Sequence, residues 1–475
     1  MPKRKLGTVS PSRRKTFRWT PSEKKGALVR WPRITSALGY TLPIAGWFTM
    51  STASESRTQL EIAARFRGVR RRTSALCEAL TAEDMMVQSL PEGSPAKWHL
   101  AHTAWFFESF VLGEFLRGYE LFNHDFPWLF NSYYQSFSQF PEKRLRASFS
   151  RPGLDEILRY REYVDEAMER LFETSLEPEA LLRIELGANH EEQHQELLLT
   201  DILHAFFTNP LRPAYLEGPL EVEPGTTNAG TRRFAAFDGG LHEAGKTGGG
   251  FCFDNELPRH KVWLEPYELA DRLVTCGEFA AFIADGGYNR PELWLSAGWD
   301  AVKSNGWRAP LYWMDEGGDR SLFTLRGELP LALMENAPVS HVSYFEADAY
   351  ARWAGRRLAT EFEWEAAADS QPVAGNLLDS RRLTPAQAPA SSKNQRPAHQ
   401  LFGDCWEWTA SAYLGYPGFK PLAGSLGEYN GKFMSGQMVL RGGSCITPAA
   451  HIRASYRNFF PPETRWQFSG IRLAL

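Results

Sequence analysis

Residues 57–80 repeat apolar positions at three- and four-residue intervals among many charges, the pattern of an amphipathic helix. A second helix is predicted from Ser94-Pro95, with Ser as N-cap and Pro at the first helical position. It carries Trp98, His102, Trp105 and Phe106 at i, i+4, i+7 and i+8, one apolar face that includes a histidine. Residues 117–151 lose the period and read as a long loop containing His124, Tyr133 and Tyr134. Helical periodicity returns over 154–174 and 178–207. Four helices joined up and down predict a bundle of about 150 residues.

Residues 209–235 hold Pro210, Pro213, Pro219, Pro224 and Gly225 and read as a linker. From 236 the texture changes: glycines become dense and tryptophans sit in short segments. One helix stands out, Tyr344–Trp353, preceded by the strand-like Pro338–Val342. The expected fold class is α+β, a four-helix bundle over 50–208 followed by a mixed α/β domain over 236–475.

Composition narrows the function classes. Hydrophobic residues at 43% and charged residues at 23% of the 475 exclude wholesale disorder. The net charge of −3 conceals an asymmetry, because residues 1–49 hold eleven of the 53 Lys+Arg and one of the 56 Asp+Glu. The remainder, with 42 basic against 55 acidic side chains, argues against nucleic acid as a partner. The basic segment 1–49 is expected to be a disordered tail or to precede the true start at Met50. Its Ser12-Arg13-Arg14-Lys15-Thr16-Phe17 weakly resembles a twin-arginine signal, but no apolar stretch follows promptly. Five scattered cysteines without a CxxC pair suggest reduced thiols and a cytoplasmic setting. No run of 18 apolar residues exists, so no membrane partner is expected.

The sharpest chemical signal is His190-Glu191-Glu192-Gln193-His194. Histidines four apart on a helix project the same way, the spacing two metal ligands need. They lie on the stripe Leu182, Leu186, His190, Gln193/His194, Leu197, which should face the bundle interior. His102 adds a third inward imidazole; His99 competes with it but should point to another side, since Trp98 and Trp105 share the face of His102. Three neutral imidazoles without a fourth carboxylate or thiolate leave open coordination positions, a catalytic rather than a structural arrangement. Imidazoles suit Zn, Fe, Ni or Cu, so the ligand set alone does not choose the metal. Packing and a surface hydroxyl account equally well for Tyr133 and Tyr134 at this level.

Two motifs, Ser94-Pro95-Ala96-Lys97-Trp98-His99-Leu100-Ala101-His102 and Asn189-His190-Glu191-Glu192-Gln193-His194, resemble the DinB-like domain of the ergothioneine-biosynthesis sulfoxide synthases, the EgtB family. Pro338–Tyr344, Gly355–Glu365, Trp406-Glu407-Trp408-Thr409, Arg441-Gly442-Gly443-Ser444 and the tail Arg457–Arg472 resemble the formylglycine-generating-enzyme type of C-type-lectin fold. The resemblance spans about residues 57–475. Formylglycine generation itself needs a cysteine pair after Arg-Gly-Gly-Ser, and only Cys445 follows here, so Cys445 reads as a small buried residue.

The resemblance implies a non-haem Fe(II) held by His102, His190 and His194, and O2-dependent formation of a C–S bond between hercynine imidazole C2 and a thiol, giving a sulfoxide. It assigns Gln193 to the substrate imidazole and Asn458 to positioning hercynine, with aromatic neighbours for its trimethylammonium group. Phe459-Phe460 and the tandem Tyr133-Tyr134 resemble the branch that uses free cysteine rather than γ-glutamylcysteine, with one tyrosine donating a proton or electron. Two positions depart from that branch. Glu92 stands where Asp is common and Lys143 where Arg is common, so contacts to the thiol donor's amino and carboxylate groups change. Arg144 or Arg146 is then the expected anion contact. The altered donor contacts keep open a close relative, selenoneine synthase, which joins hercynine to a selenosugar. Two remoter readings are a zinc-dependent DinB-like thiol transferase and a binding protein that has lost catalysis.

Overall fold

The computed structural model describes residues 57–218, 231–369, 371–389 and 398–475. The expectations for residues 1–49 lie outside the described residues, as does the middle of the linker, 219–230.

Four long helices form the N-terminal half: α1 Gln59–Cys77, α2 Ala96–Phe107, α3 Leu154–Phe172 and α4 Pro178–Thr208. Each lies where periodicity placed it. Thr58 and Glu61 close a capping box at the start of α1. At α2 the sequence reading is off by one residue: Pro95 is the N-cap, and the Ser94 hydroxyl accepts from Arg146 at 2.8 Å instead of capping. A π-helical turn, Glu108–Leu112, extends α2. Between α2 and α3 the chain is irregular, with short helical turns at Phe126–Leu129 and Lys143–Ser148.

The stripe expected on α4 holds only from Leu186 onward. Leu182 is exposed, whereas Glu191, Glu192 and Glu196 are buried. The reason is that the middle of α4 packs against several neighbours at once. Glu191 accepts from Arg70 at 2.9 Å and Arg161 at 3.0 Å inside the bundle. Glu192 accepts from Arg65 at 2.6 Å. Glu196 faces the second domain and accepts from Trp406 Nε1 at 2.6 Å, Ser444 Oγ at 2.9 Å and Thr447 Oγ1 at 2.9 Å. Both halves belong to one unit, Ser54–Leu475. Gly187 permits a close α2–α4 approach one turn before His190, since a Cβ there would meet the Phe107 ring at 2.6 Å.

The C-terminal half contains two four-stranded sheets. One runs Phe234–Phe237, Tyr267–Ala270, Leu473–Ala474, Arg357–Leu358, so the last strand of the chain pairs with an early one. Its first strand starts inside the segment read as linker. The other runs Asn458–Phe460, Met438–Arg441, Trp406–Ala412, Ser469–Gly470. The helix Tyr344–Trp353 has the predicted bounds and a Ser343/Glu346 capping box. Pro338–Val342 is not a strand; only Pro338 forms an isolated bridge, to Thr275. Three further helices, Cys276–Ala284, Ser296–Asn305 and Glu361–Ala368, are too short for periodicity to reveal.

The motif residues of this half are largely structural. Trp364, Trp406 and Trp408 are buried, as expected for core packing. Glu361, itself buried, accepts from Arg441 at 2.8 Å and from Arg457 at 2.8 and 3.0 Å. Burial raises the Glu361 carboxyl, but Arg457 and Arg441 outweigh it and hold the group below its ordinary value of 4.5. Its contribution is therefore present above about pH 4.5 and lost as pH falls below that value. Glu361→Gln, which leaves buried Arg457 without a carboxylate and Arg441 with Glu365 alone at 2.8 Å, is expected to cost about 3–5 kcal/mol. Urea melts between pH 7 and pH 4 should show the wild type losing stability with acid and the variant losing less.

Candidate metal centre

Helices α2 and α4 bring His102, His190 and His194 together, with one ring nitrogen from each lying within 4.8 Å of the others. The rings are tightly spaced: His190–His194 centroids are 4.5 Å apart and His102–His194 4.7 Å. His102 lies between two indoles, Trp98 at 4.4 Å and Trp105 at 5.1 Å, both nearly parallel to it. Its Nδ1 hydrogen-bonds the Phe130 carbonyl at 2.6 Å, leaving Nε2 buried without a partner. Both ring nitrogens of His190 are likewise buried and unpartnered. Orphaned buried nitrogens normally cost about 1–3 kcal/mol each. One nitrogen from each of three histidines drawn together in this way, with His102 Nε2 and His190 left unpartnered, fits a bound cation.

Burial drives all three imidazoles toward the neutral, ligating form. His190 is pulled down to about 3, with His99 adding to the burial and Glu191 opposing it. His102 and His194 are held well below the usual histidine value by burial and then by their neighbouring histidines. A set of three neutral nitrogens, with no carboxylate joining the cluster among the described residues, has open positions for exogenous ligands.

His99 is not one of the three clustered histidines, but it abuts one of them. Its Nδ1 lies 2.8 Å from His194 Nδ1, and its Nε2 lies 3.0 Å from Asp201 Oδ2.

The remaining predicted site residues fall into two groups. Gln193 sits beside the cluster and is gripped by the second domain: the Tyr429 hydroxyl donates to its Oε1, and its Nε2 donates to Tyr456 OH at 2.7 Å. One amide hydrogen and one lone pair remain for a ligand. Tyr429 also packs on His190, 5.7 Å between centroids. The Tyr134 ring packs on Trp105 at 5.7 Å, and its hydroxyl is buried without a partner. Tyr133 stacks on Tyr134 at 4.6 Å. Asn131 holds this loop by accepting from the Tyr134 N–H at 3.1 Å and donating to the Tyr134 carbonyl at 3.0 Å. The second domain clamps it as well: Glu428 accepts from the Gln135 and Ser136 N–H groups at 3.0 and 2.9 Å, and Lys432 covers the Tyr133 ring at 4.9 Å. Phe433 links Tyr133, at 5.5 Å, to Phe459, at 6.0 Å. Phe459 stacks on Tyr413 at 3.9 Å, Asn458 Oδ1 accepts the Phe459 N–H at 2.9 Å, and Phe460 pairs with Met438.

On the other side of Trp98 lies Arg146. Its guanidinium stacks on the indole at 3.5 Å, donates to Ser94 Oγ at 2.8 Å and Ser132 Oγ at 3.1 Å, and is 3% exposed. Burial pulls it down to about 9, offset only in part by Asp201. Glu92, Lys143 and Arg144 are exposed, and Arg144 pairs with Glu142 at 2.6 Å.

Sequence reasoning missed His99 as a partner of His194, and it missed Asp201, Tyr429 and Tyr456. Asp201 was within reach, because it stands seven residues after His194 on the same face of α4. Tyr429 and Tyr456 lie in irregular segments with no period to betray them.

Comparison with known proteins agrees with this architecture. Residues 65–204 match the DinB superfamily, and residues 221–475 match the sulfatase-modifying factor enzyme 1-like domain. A hercynine oxygenase of Mycobacterium tuberculosis is 34% identical over 305 residues, 60% of this chain and 69% of the relative. A hercynine oxygenase of Mycolicibacterium smegmatis is 38% identical over 244 residues, 46% of this chain and 55% of the relative. A formylglycine-generating enzyme of Streptomyces coelicolor is 30% identical over 308 residues, 54% of this chain and 92% of the relative. Among the described residues no helix is long and apolar enough to cross a membrane. With both domain families in order and a relative matched over most of its length, the chain belongs to the hercynine oxygenase (EgtB) family of sulfoxide synthases, and is an oxygenase built from a DinB-like bundle and a formylglycine-generating-enzyme-like domain.

Proposed function

We propose that this chain joins the imidazole C2 of hercynine to the sulfur of a cysteine-type thiol, using O2 and an Fe(II) held by His102, His190 and His194. Overall, one C–H and one S–H hydrogen leave as water with one oxygen atom of O2, and the other oxygen atom stays on sulfur as the sulfoxide. The observation that carries the reading is the gathering of three buried histidines inside the bundle, with unpartnered ring nitrogens on His102 and His190. Iron bound there would supply the redox chemistry that lets O2 oxidise the two organic substrates.

The chain's own residues supply binding and proton placement. Gln193, with its spare amide hydrogen and lone pair, holds the hercynine imidazole. Asn458, Phe459 and Phe460 form the substrate wall, and the aromatic faces of Phe433 and Phe459 suit a quaternary ammonium. Tyr134 Oη keeps its proton, because burial and then Tyr133 and Tyr429 hold the phenol well above its usual value. It is therefore available to donate.

Arg146 supports a donor bearing a carboxylate. A desolvated guanidinium resting on two serine hydroxyls has no carboxylate in direct contact among the described residues, and Asp201 offsets its burial only in part. Arg146→Gln is expected to raise the thiol KM about 10- to 100-fold, the worth of a charge-assisted hydrogen bond. The hercynine KM should stay within about twofold, since a lost donor contact is not felt by the second substrate. Initial-rate kinetics with each substrate varied in turn checks this.

A selenosugar donor, as in selenoneine synthesis, remains the second reading. It is favoured by exposed Glu92 and Lys143, which depart from the cysteine-using pattern and are not tied up in the fold. The zinc-transferase reading is separated by metal exchange. Apo-chain reloaded anaerobically with Fe(II) should turn over with hercynine, cysteine and O2, whereas Zn(II)-loaded chain should bind metal and stay inactive, since zinc has no redox chemistry. Turnover with zinc would sink the proposal.

A further inference from the structure

We infer that His99 and Asp201 are a positioning pair for His194, extending the metal centre two turns along α4 into a hydrogen-bonded chain. The inference rests on the three-histidine reading above. Asp201 Oδ2 accepts from the Ser94 N–H at 2.7 Å and lies 3.0 Å from His99 Nε2. A carboxylate only accepts, so His99 carries its hydrogen on Nε2. The other nitrogen of a neutral imidazole is then an acceptor, and His99 Nδ1 takes the hydrogen of His194 Nδ1 across 2.8 Å. That assignment leaves the His194 Nε2 lone pair free for a metal. His102 reaches the same state by a shorter route, its Nδ1 bonded to the Phe130 carbonyl at 2.6 Å.

The pair has the features of a built element rather than a chance contact. His99 is 2% exposed and meets Trp98 edge-on at 5.7 Å, so its ring cannot turn freely. Asp201 is fixed from the other side by the Gly93-Ser94 turn, where a Cβ on Gly93 would come within 2.9 Å of Asp201 Oδ1. The same turn starts the helix that carries His99 and His102. One carboxylate thus ties the start of α2 to α4 and sets the orientation of a ligand ring. His190, by contrast, has no such partner on either nitrogen, so the geometry of the centre depends on the two ligands that do. Partners of this kind typically carry 10- to 100-fold in metal affinity, about the range expected here.

The test is Fe(II) binding to the full apo-chain under anaerobic competition with a chelator, together with the visible spectrum of the Co(II) form. Asp201→Leu and His99→Leu should each weaken Fe(II) by about 10- to 100-fold and shift the Co(II) bands. Asp201→Asn, whose amide oxygen still accepts from His99, should lose less than Asp201→Leu. The double variant His99→Leu/Asp201→Leu should lose clearly less than the sum of the two single losses, because the carboxylate acts on the ligand largely through the ring. Should His99→Leu fail to fold, the Asp201 variants decide. Wild-type affinity and an unshifted Co(II) spectrum in Asp201→Leu would overturn the pair, and so would additive losses in the double variant. Failure of the unaltered chain to bind either metal would instead remove the three-histidine centre on which the pair rests.

Discussion

His194→Ala is expected to leave the chain without stoichiometric iron and without turnover. Two imidazoles from different helices, His102 and His190, 4.9 Å apart between centroids, would remain, but a centre with three neutral ligands has none to spare. The loss should exceed the roughly 10- to 100-fold penalty that removal of an outer partner alone imposes. The variant also leaves His99 Nδ1 buried without its hydrogen-bond partner, at about 1–3 kcal/mol. Thermal melts of the apo forms separate that stability loss from the loss of metal, because the wild-type apo-chain carries no ligand contribution. Metal analysis after anaerobic loading should give about one iron per wild-type chain and near none for the variant. Full loading and normal turnover in His194→Ala would contradict the assignment of the ligands.

The tyrosine pair should reveal itself in the products rather than in the stability. Tyr134→Phe removes a hydroxyl that is buried and makes no hydrogen bond to the protein, so the fold has nothing to lose. Deleting an unsatisfied polar group is neutral or stabilising, and the melting temperature should not fall. The chemistry should change far more. Without a proton at that position, the oxidised thiol is expected to leave as simple oxidation products instead of coupling to hercynine. A positioned proton donor is worth about 10²- to 10⁴-fold, enough to reverse a product ratio. Tyr133 stacks on Tyr134 and its phenol is also raised by burial, so Tyr133→Phe belongs in the same experiment. Mass spectrometry of products from both variants is the measurement. Wild-type ratios in both would remove the tyrosines from the chemistry.

The long elements and the clustered histidines were legible because both follow a single period. A 31-residue helix with two histidines four apart declares its inward face from sequence alone. The same logic failed where one helix packs on several neighbours at once. Leu182 projects into solvent, while Glu191, Glu192 and Glu196 lie buried among arginines and donors from outside the bundle. Helical periodicity describes one interface at a time, and α4 has several. The second domain was legible as motifs but not as elements. Arg441, Glu361 and Arg457 stand far apart in sequence yet form one buried ion network, which no local pattern encodes. Tyr429 and Tyr456 reach Gln193 from irregular loops for the same reason. His99 was expected to face another side, yet it meets His194; that contact depends on how α2 meets α4, which sequence spacing does not specify.

The central claim is that this centre couples hercynine to a cysteine-type thiol, and one competition experiment tests it most directly. The Fe(II)-loaded chain is given hercynine and O2 with cysteine, γ-glutamylcysteine and a selenosugar together, and the products are read by mass spectrometry. Arg146, buried without a directly paired carboxylate, and the Tyr133–Tyr134 pair predict hercynyl-cysteine sulfoxide as the main product. A carbon–selenium adduct formed in preference, with little sulfoxide, would contradict the account and assign exposed Glu92 and Lys143 to a rebuilt donor pocket.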